Sequence, residues 1–447
     1  MGSISPSEVA PTPSPWIETP LVESAALSRA AGCRIFLKLE NIQPSGSFKS
    51  RAMGNQILSH LRKPENAGRP VHFYASSGGN AGLAAVCAAR DLGYPCTVVV
   101  PVTTKPMMIE RLRTAGALEV VQHGDSLAEA NEHMKEVLMK GGGKSNGNDD
   151  EREDVVKVAL HPFDNEPIWQ GNSTIIDELA EQLPAVAGDS ASYRNKHIPM
   201  DAIICSVGGG GLLNGLIMGL ERFKPIASTT TTTTTTSDKV SPIHLVAIET
   251  YGTDSLSHAM SSQSHVSIPK ITSQATSLGA TRVSQKTFQY AVSPPRGLAV
   301  HSAVLSDADA ARGVLRLVDD ERILVELACG VCVEAAVGDA GKARSTTTTS
   351  SSSPVSLKKR KRNSGLARDE GYGDDRSSVE NESDLDDRRH SITSSDPSGD
   401  AGLQSKLKQM VSDLNSESRV VIVVCGGSNI SLDTAMEYKR MLADGWQ

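Results

Sequence analysis

Alternating runs of apolar and polar residues divide most of the chain into short strands and helices. Strands are predicted where apolar residues alternate or form short β-branched runs, and helices where they recur every three or four positions. The predicted strands are 35–40, 71–75, 96–101, 118–122, 155–160, 202–207, 244–249 and 419–424. The predicted helices are 24–31, 52–58, 83–92, 105–115, 127–139, 168–183, 212–223, 307–319 and 330–343. This alternation indicates an α/β fold in which helices cover mainly parallel sheets.

Several polar stretches interrupt this pattern. Residues 1–20 are rich in Pro and Ser and lack the apolar core of a signal peptide. Residues 141–154 are Gly-rich and polar, and 229–236 form a threonine tract, so both are expected to be surface loops. Residues 345–418 contain few large apolar side chains, so we expect most of them to be disordered. Within that segment, 403–414 can extend the preceding helix or form a helix of its own.

The overall charge and the cysteines exclude several classes of protein. A formal net charge of −7 does not favour nucleic-acid binding. No apolar run reaches the length of a membrane span. The seven cysteines do not form a disulfide framework and fit a reducing compartment. Cys329 and Cys332 lie in an apolar run, so we interpret this pair as core packing rather than a metal or redox site.

A short polar stretch from Pro44 to Arg51 lies between a predicted strand and a predicted helix. Its Lys49 therefore stands at a strand-to-helix turn, where unpaired backbone N–H groups favour anions. An amine in such a place can form a Schiff base with a carbonyl cofactor whose phosphate binds nearby. A surface lysine on a polar loop would have the same local sequence, so this stretch alone does not decide between the two.

Four consecutive glycines follow the strand at 202–207 and precede a helix. They are Gly208, Gly209, Gly210 and Gly211. Glycines let the backbone approach an anion closely, and a helix N-terminus attracts it. A tight turn needs fewer glycines, so we predict a phosphate site here. A Walker P-loop is excluded because no Gly-Lys-Ser/Thr follows the run.

Four segments, taken together, resemble one known family. They are Ser45–Lys49 (SGSFK), Ser76–Gly82 (SSGGNAG), Ser206–Leu212 (SVGGGGL) and Val424–Asn429 (VCGGSN). In this order they resemble the motifs of the pyridoxal-phosphate (PLP) β-eliminating enzymes of fold type II. The chain is most similar to the L-serine/L-threonine dehydratase group, and within it to the animal and fungal L-serine dehydratases. The resemblance spans nearly the whole chain.

This resemblance implies two domains, each with a mainly parallel sheet covered by helices. A large domain would be formed by residues 1–51, 155–344 and 419–447. A small domain would be formed by 52–154, and 345–418 would be a low-complexity insertion. The basic run at 358–362 (KKRKR) within the insertion has the composition of a nuclear-import signal, but we favour a solvated charge run.

The resemblance also implies roles at the cofactor. Lys49 would bind PLP covalently and then act as the general base at the substrate Cα. Phe48 would stack on the cofactor ring, and Asn80 would hydrogen-bond the ring oxygen. The four glycines would hold the phosphate. Cys425 would face the pyridine nitrogen as a neutral thiol, although buried cysteines are also common in cores.

Substrate and cation sites are implied in the same way. The substrate carboxylate would bind the loop made of Ser76, Ser77, Gly78 and Gly79, a loop that can equally cap the next helix. A potassium ion would be held by Glu249 and by backbone carbonyl groups, since hard oxygen ligands suit such an ion. The carbonyl ligands would be those of Thr253, Ser255, Leu278 and Ala280.

The expected reaction is the β-elimination of L-serine to pyruvate and ammonia, with L-threonine to 2-oxobutanoate as a second activity. The resemblance further implies a cytoplasmic homodimer acting in amino-acid metabolism and gluconeogenesis, with no nucleic-acid or membrane partner. The alternatives are a threonine dehydratase, a serine racemase, a cysteine-synthase-type enzyme, and a non-catalytic regulator imported into the nucleus. A racemase is disfavoured because Gly78 stands where the racemases of this family carry a serine.

Overall fold

A computed structural model describes residues 13–140, 155–185, 197–223, 242–339 and 405–447. Residues 1–340 and 404–447 form one compact unit, and the description below concerns its described part. The second unit, 341–403, lies outside the described residues. So do the predicted Gly-rich loop at 141–154, the threonine tract and the basic run.

The strands and helices are numbered here in chain order. The strands are β1 (Leu21–Glu23), β2 (Arg34–Lys38), β3 (Val71–Ala75), β4 (Cys96–Val100), β5 (Glu119–Gln122), β6 (Val156–Leu160), β7 (Ala202–Ser206), β8 (Ile243–Thr250), β9 (Leu298–Leu305) and β10 (Arg419–Val423). The helices are α1 (Ala25–Ala31), α2 (Lys49–Leu61), α3 (Asn80–Asp91), α4 (Pro106–Thr114), α5 (Leu127–His133), α6 (Glu166–Gln182), α7 (Gly211–Leu220), α8 (Ser255–Ser261), α9 (Gln285–Val292), α10 (Asp307–Arg316), α11 (Leu327–Val337), α12 (Lys406–Met410) and α13 (Leu432–Ala443).

Two sheets organise these elements, as the α/β prediction required. The larger sheet has the spatial order β1-β2-β10-β7-β8-β9, with every neighbouring pair parallel except β1 and β2. The smaller sheet has the order β5-β4-β3-β6 and is entirely parallel. Parallel sheets need both faces covered, and the fully buried strands β4, β7 and β8 fit that rule. The predicted fold class is confirmed.

The strand β6 corrects one predicted domain boundary. The sequence division placed residues 155 onward in the large domain. In the structure β6 pairs with β3 of the smaller sheet, from Val71 opposite Val156 to Ala75 opposite Leu160. The chain therefore leaves the smaller sheet only after this strand. The alternation of strands and helices predicts that this strand exists. Which other strand it pairs with depends on the tertiary structure.

The segment before β10 corrects a second boundary. Residues 405–418 were assigned to the insertion, yet α12 is a short helix of its own, which is one of the two possibilities allowed for 403–414. Leu407, Val411 and Leu414 are buried in the main hydrophobic core. Three apolar side chains within eight residues are too weak a pattern to predict a buried helix inside a long polar segment. These side chains are buried because the helix packs against the main hydrophobic core.

The core of the larger sheet centres on the helix α11, all of whose residues are buried. Cys329 and Cys332 lie in this helix, which confirms their interpretation as core residues. All seven cysteines are free thiols.

The elements missed by the sequence analysis are β1, β9, α8, α9 and α13. Four of them bury at most three residues each, and every residue of β9 except the last is only partly buried. Among the described residues, no helix is long and apolar enough to cross a membrane.

Candidate active site

One cavity of about 780 Å³ lies where the carboxyl ends of both sheets meet. Its walls contain most of the residues singled out by the motifs. They are Phe48, Lys49, Ser76, Ser77, Gly78, Gly79, Asn80, Gly208, Gly209, Gly210, Gly211, Leu278, Ala280 and Cys425. Loops beyond the carboxyl ends of parallel strands are the usual position of binding sites in α/β proteins. The structure thus brings together segments from positions 48 to 425 of the chain.

The first and last motifs meet because β2 and β10 are neighbours. The two strands pair in parallel, so the chain leaves both at the same edge. The amide of Phe48 donates to the carbonyl of Cys425 at 3.2 Å, and the amide of Gly427 donates to the carbonyl of Gly46 at 2.9 Å. These bonds hold the lysine turn against the turn that follows β10. Lys49 is consequently fixed beside Cys425.

Lys49 is the first residue of α2, and its side chain is half-buried at the cavity wall. Its Nζ donates to the carbonyl of Pro162 at 2.7 Å and lies 5.2 Å from the centre of the Phe48 ring. Burial lowers the pKa of Lys49 from 10.5 to about 8, with a small opposing effect of Cys425. A lysine of this pKa is neutral far more often than an exposed one. Such an amine is suited to attack an aldehyde and to accept a proton.

We expect this pKa to control the capture of PLP by the apoprotein. The neutral amine is the reactive form, and at pH 7 a pKa near 8 leaves roughly a tenth of it unprotonated, against under about 0.1% for an ordinary lysine. The capture rate should therefore rise with pH and level off above about pH 8. Stopped-flow absorption of apoprotein mixed with PLP measures it. A rate that keeps rising tenfold per pH unit up to pH 10 would contradict the lowered pKa.

The four glycines form a backbone cradle at the start of α7. Gly210 has a φ of 90° and precedes the first residue of this ten-residue helix. A Cβ at Gly210 would lie 1.9 Å from Thr287 Oγ1, and one at Gly209 would lie 2.2 Å from the Phe163 ring. Side chains are therefore excluded at both positions. Among the described residues, no protein acceptor is recorded for the amides of 208–211, so these N–H groups are available to a phosphate.

Cys425 lies at the cavity wall and is 5% exposed. Its Sγ lies 3.6 Å from Ser206 Oγ and 3.4 Å from the carbonyl of Val423. Burial raises the pKa of the Cys425 thiol to about 11, against an opposing hydrogen bond from Ser206. The sulfur is therefore neutral at physiological pH, as the sequence analysis expected of a weak partner for a pyridine nitrogen.

Asn80 is held in one orientation by a residue that the sequence analysis missed. Its Oδ1 accepts from the amide of Ser428 at 2.9 Å, and its Nδ2 donates to Glu326 Oε1 at 3.0 Å. Glu326 is buried, and its carboxylate also accepts from the Ser277 hydroxyl and from the amide of Asn429. These partners fix which end of the Asn80 amide faces the cavity. Glu326 stands just before an apolar helix, where an acidic residue resembles an ordinary helix cap.

The loop 76–79 joins β3 to the twelve-residue helix α3. The Ser76 hydroxyl donates to Asn131 Oδ1 at 3.2 Å, so its single proton is already used. The Ser77 Oγ instead accepts weakly, at 3.4 Å, from the amide of Gly79, and its own hydrogen has no acceptor among the described residues. A Cβ at Gly78 would lie 2.8 Å from Thr104 Cγ2. The loop therefore offers the Ser77 hydroxyl and backbone N–H groups to an anion, and it has little room for a side chain at position 78.

The predicted cation ligands come from two segments of the chain. Glu249, Thr253 and Ser255 belong to β8 and the residues after it, whereas Leu278 and Ala280 line the cavity. Glu249 is buried on β8, and its two oxygens accept from the amides of Leu256 and Ser257 at 2.8 Å each. Burial raises the pKa of Glu249 to about 8, despite the opposing effect of these two bonds. Thr253 in the following loop and Ser255, the first residue of α8, are both buried, and the Ser255 Oγ has no partner among the described residues. No cluster of three or more His, Cys, Asp or Glu residues suited to a metal occurs in the described parts of the chain.

Comparison with known proteins agrees with this geometry. Residues 14–351 match the family model described as "Pyridoxal-phosphate dependent enzyme". An L-serine dehydratase of Saccharomyces cerevisiae is 38% identical over 315 residues, which are 70% of this chain and 83% of the relative. An L-serine dehydratase/L-threonine deaminase of Mus musculus is 38% identical over 320 residues, 71% and 82% of the two chains.

A solved structure gives the same result. The crystal structure of a fungal L-serine ammonia-lyase from Rhizomucor miehei superposes with a TM-score of 0.65 at 26% identity. The match covers 96% of this chain and 99% of the other. Together with the cavity that joins Lys49 to the glycine cradle, these matches show that the chain belongs to the family of pyridoxal-phosphate-dependent enzymes, which confirms the resemblance found in its motifs.

Proposed function

We propose that this protein is a PLP-dependent L-serine ammonia-lyase that releases pyruvate and ammonia from L-serine and converts L-threonine to 2-oxobutanoate. The observation that carries the proposal is Lys49, whose amine of lowered pKa lies in one cavity with the glycine cradle and Cys425. The relatives at 38% identity are L-serine dehydratases and support the same reaction. A non-catalytic regulator would have no need of this arrangement.

The cofactor residues fit PLP by their own chemistry. When bound, PLP supplies an electron-accepting ring that stabilises negative charge at the substrate Cα. The free amides of the glycine cradle would hold the phosphate, and Phe48 would pack on the ring. The Asn80 amide, oriented by Glu326, would exchange its longer bond to Ser277 Oγ, at 3.4 Å, for one to the ring oxygen. The neutral Cys425 thiol would stand at the ring nitrogen without a charge to hold a proton there.

Lys49 then has two tasks. With PLP bound, Lys49 would hold it covalently between turnovers, and once the substrate amine has replaced it, the free Lys49 amine would remove the Cα proton. The substrate carboxylate is bound by the Ser77 hydroxyl and the backbone amides of the loop 76–79. These groups orient the Cα–H bond toward Lys49. The β-hydroxyl would leave as water, taking up a proton equivalent to the one that Lys49 removed from Cα. One water molecule would then hydrolyse the unsaturated amino-acid product to pyruvate and ammonia.

A potassium ion is the second ligand that we propose, held by Glu249 and by carbonyl groups of Thr253, Ser255, Leu278 and Ala280. The buried Glu249, whose pKa is raised, is the observation that supports it, because a bound cation would stabilise the charged carboxylate. We also propose, from the family resemblance, a homodimer located in the cytoplasm.

The proposal is tested by assaying the purified, PLP-loaded protein with L-serine and L-threonine. Pyruvate and 2-oxobutanoate are expected in potassium buffer, and the rate should fall when tetramethylammonium replaces potassium. Absence of both keto acids in a protein that carries PLP would refute the proposed reaction. An unchanged rate without potassium would refute the cation site alone.

The alternative that the protein is a serine racemase can be tested by a substitution at Gly78. Racemisation needs an acid/base group on the face of the substrate opposite Lys49, and glycine has no side chain to provide one. Because a Cβ at position 78 meets Thr104 at 2.8 Å, Gly78→Ser is expected to need the companion change Thr104→Ala. The double variant should form measurable D-serine from L-serine and lose part of its pyruvate release.

The measurement is chiral chromatography of serine recovered after incubation in heavy water, with Thr104→Ala alone as the control. Substantial deuterated D-serine from the unmodified protein would show a racemase and contradict the proposed dehydratase.

A further inference from the structure

His161 lines the cavity directly after the strand β6 and has no role in the function proposed so far. Its ring lines the cavity wall and lies edge-on to Phe163. Its backbone is fixed from both sides by Gln56 of α2, whose amide donates to the His161 carbonyl at 3.0 Å and accepts from its N–H at 2.8 Å. Since α2 begins at Lys49, this pair of bonds sets the distance between His161 and the catalytic amine.

The turn after His161 determines which ring nitrogen carries the proton. The Nδ1 atom accepts from the amides of Phe163 at 3.2 Å and Asp164 at 2.8 Å. An atom that accepts two N–H bonds carries no hydrogen, so the neutral ring has its proton on Nε2. Burial lowers the pKa of His161, the nearby Lys49 and Lys135 act in the same direction, and Asp164 opposes them. The imidazole is thus a neutral Nε2–H donor.

The register of the smaller sheet places this donor beside the proposed carboxylate loop. Ala75 and Leu160 are paired residues of the parallel strands β3 and β6. Ser76 and His161 are the next residue on each strand, so they leave the sheet side by side. The Ser76 hydroxyl already donates its hydrogen to Asn131. The Ser76 side chain therefore has no hydrogen left for an anion at this edge, and the Nε2–H of His161 is a side-chain donor from the neighbouring strand that also lines the cavity.

We propose that His161 is a substrate-positioning and specificity residue that donates its Nε2–H to the α-carboxylate of the amino-acid substrate. This inference rests on the proposed function. With the Ser77 hydroxyl and the loop amides, His161 completes the set of donors around the carboxylate. It binds the substrate in the ground state and takes no proton in the reaction.

The variant His161→Asn separates this role from a structural one. The Asn Oδ1 occupies the place of Nδ1 and can still accept from the amides of Phe163 and Asp164, whereas the Nε2 donor is lost. The probe is glycine, which has the carboxylate but no β-hydroxyl, titrated against the PLP-loaded protein and followed by the visible absorption of the bound cofactor. Loss of a hydrogen bond to a charged group should weaken glycine binding by about 10-fold to 100-fold.

The same variant should raise KM for L-serine by a similar factor and change kcat less than about threefold, because only ground-state binding is lost. His161→Gln, whose terminal amide reaches as far as Nε2, should bind glycine more tightly than His161→Asn and serves if the latter fails to fold. His123→Asn, at an exposed histidine outside the cavity, is the matched control and should behave as the unmodified protein.

Three results would overturn the inference while leaving the proposed reaction intact. The first is unchanged glycine affinity in His161→Asn, and the second is weaker binding in His161→Gln than in His161→Asn. The third is a loss confined to PLP affinity, which would place the donor at the cofactor. Failure of the unmodified protein to form pyruvate would instead overturn the proposed function.

Discussion

Replacing Lys49 with alanine is expected to abolish pyruvate release and the visible absorption band of covalently bound PLP. Loss of a general base alone costs about 10²–10⁴-fold in rate, and loss of the covalent link adds to it. The fold should survive, because Lys49 is the first residue of α2 and, within the described parts of the chain, its side chain makes a single hydrogen bond, to the carbonyl of Pro162. Circular dichroism and the keto-acid assay measure the two effects.

Lys63→Ala is the matched control, since Lys63 lies exposed just beyond the end of the same helix. It should retain full activity. A small primary amine added to Lys49→Ala should restore part of the turnover, because it supplies the missing base from solution. Near-normal turnover in Lys49→Ala without added amine would refute the assignment of this lysine.

Two deletions of the insertion are expected to differ sharply in stability. A protein lacking 345–403 should fold and keep most of its activity, because Asp339 and Ser405 are bridged neighbours and a short linker can join the ends. A protein lacking 345–417, nearly all of the insertion predicted from the sequence, also loses Leu407, Val411 and Leu414 from the core. Burying such side chains contributes about 1.5–3 kcal/mol each, roughly 5–9 kcal/mol together. That is comparable to the whole stability of a typical domain.

Polar contacts add to this difference. Lys406 Nζ lies 2.8 Å from Asp309 Oδ1 and 3.6 Å from Glu334 Oε1. Its removal takes this cation from the buried Glu334 and leaves the half-buried Asp309 with the longer contact to Arg312, at 3.5 Å. Thermal unfolding followed by circular dichroism compares the two deletions with the full chain. Equal melting temperatures for both deletions would show that α12 does not support the core. Failure of the shorter deletion to fold would show that 345–403 contribute to it.

The sequence by itself determined the fold class, most of the elements and many of the residues that line the cavity. Buried parallel strands are continuous apolar runs, and covering helices repeat every three or four residues, so both are local signals. The lysine turn and the glycine run are local as well, since each needs a particular residue in a short stretch of backbone. These features were predicted close to their observed bounds, as for β3 and the cradle at 208–211.

Only the tertiary structure decided which segments are neighbours. The pairing of β2 with β10 brings Lys49 to Cys425 across most of the chain, and the pairing of β6 with β3 places His161 beside Ser76. Glu326 has no local signal, because its partners Asn80, Ser277 and Asn429 come from three distant segments. The same is true of Leu407, whose apolar neighbours are remote in sequence. Contacts of this kind depend on the order of the strands in the sheet and on the packing of distant segments. Neither can be predicted from a short stretch of sequence.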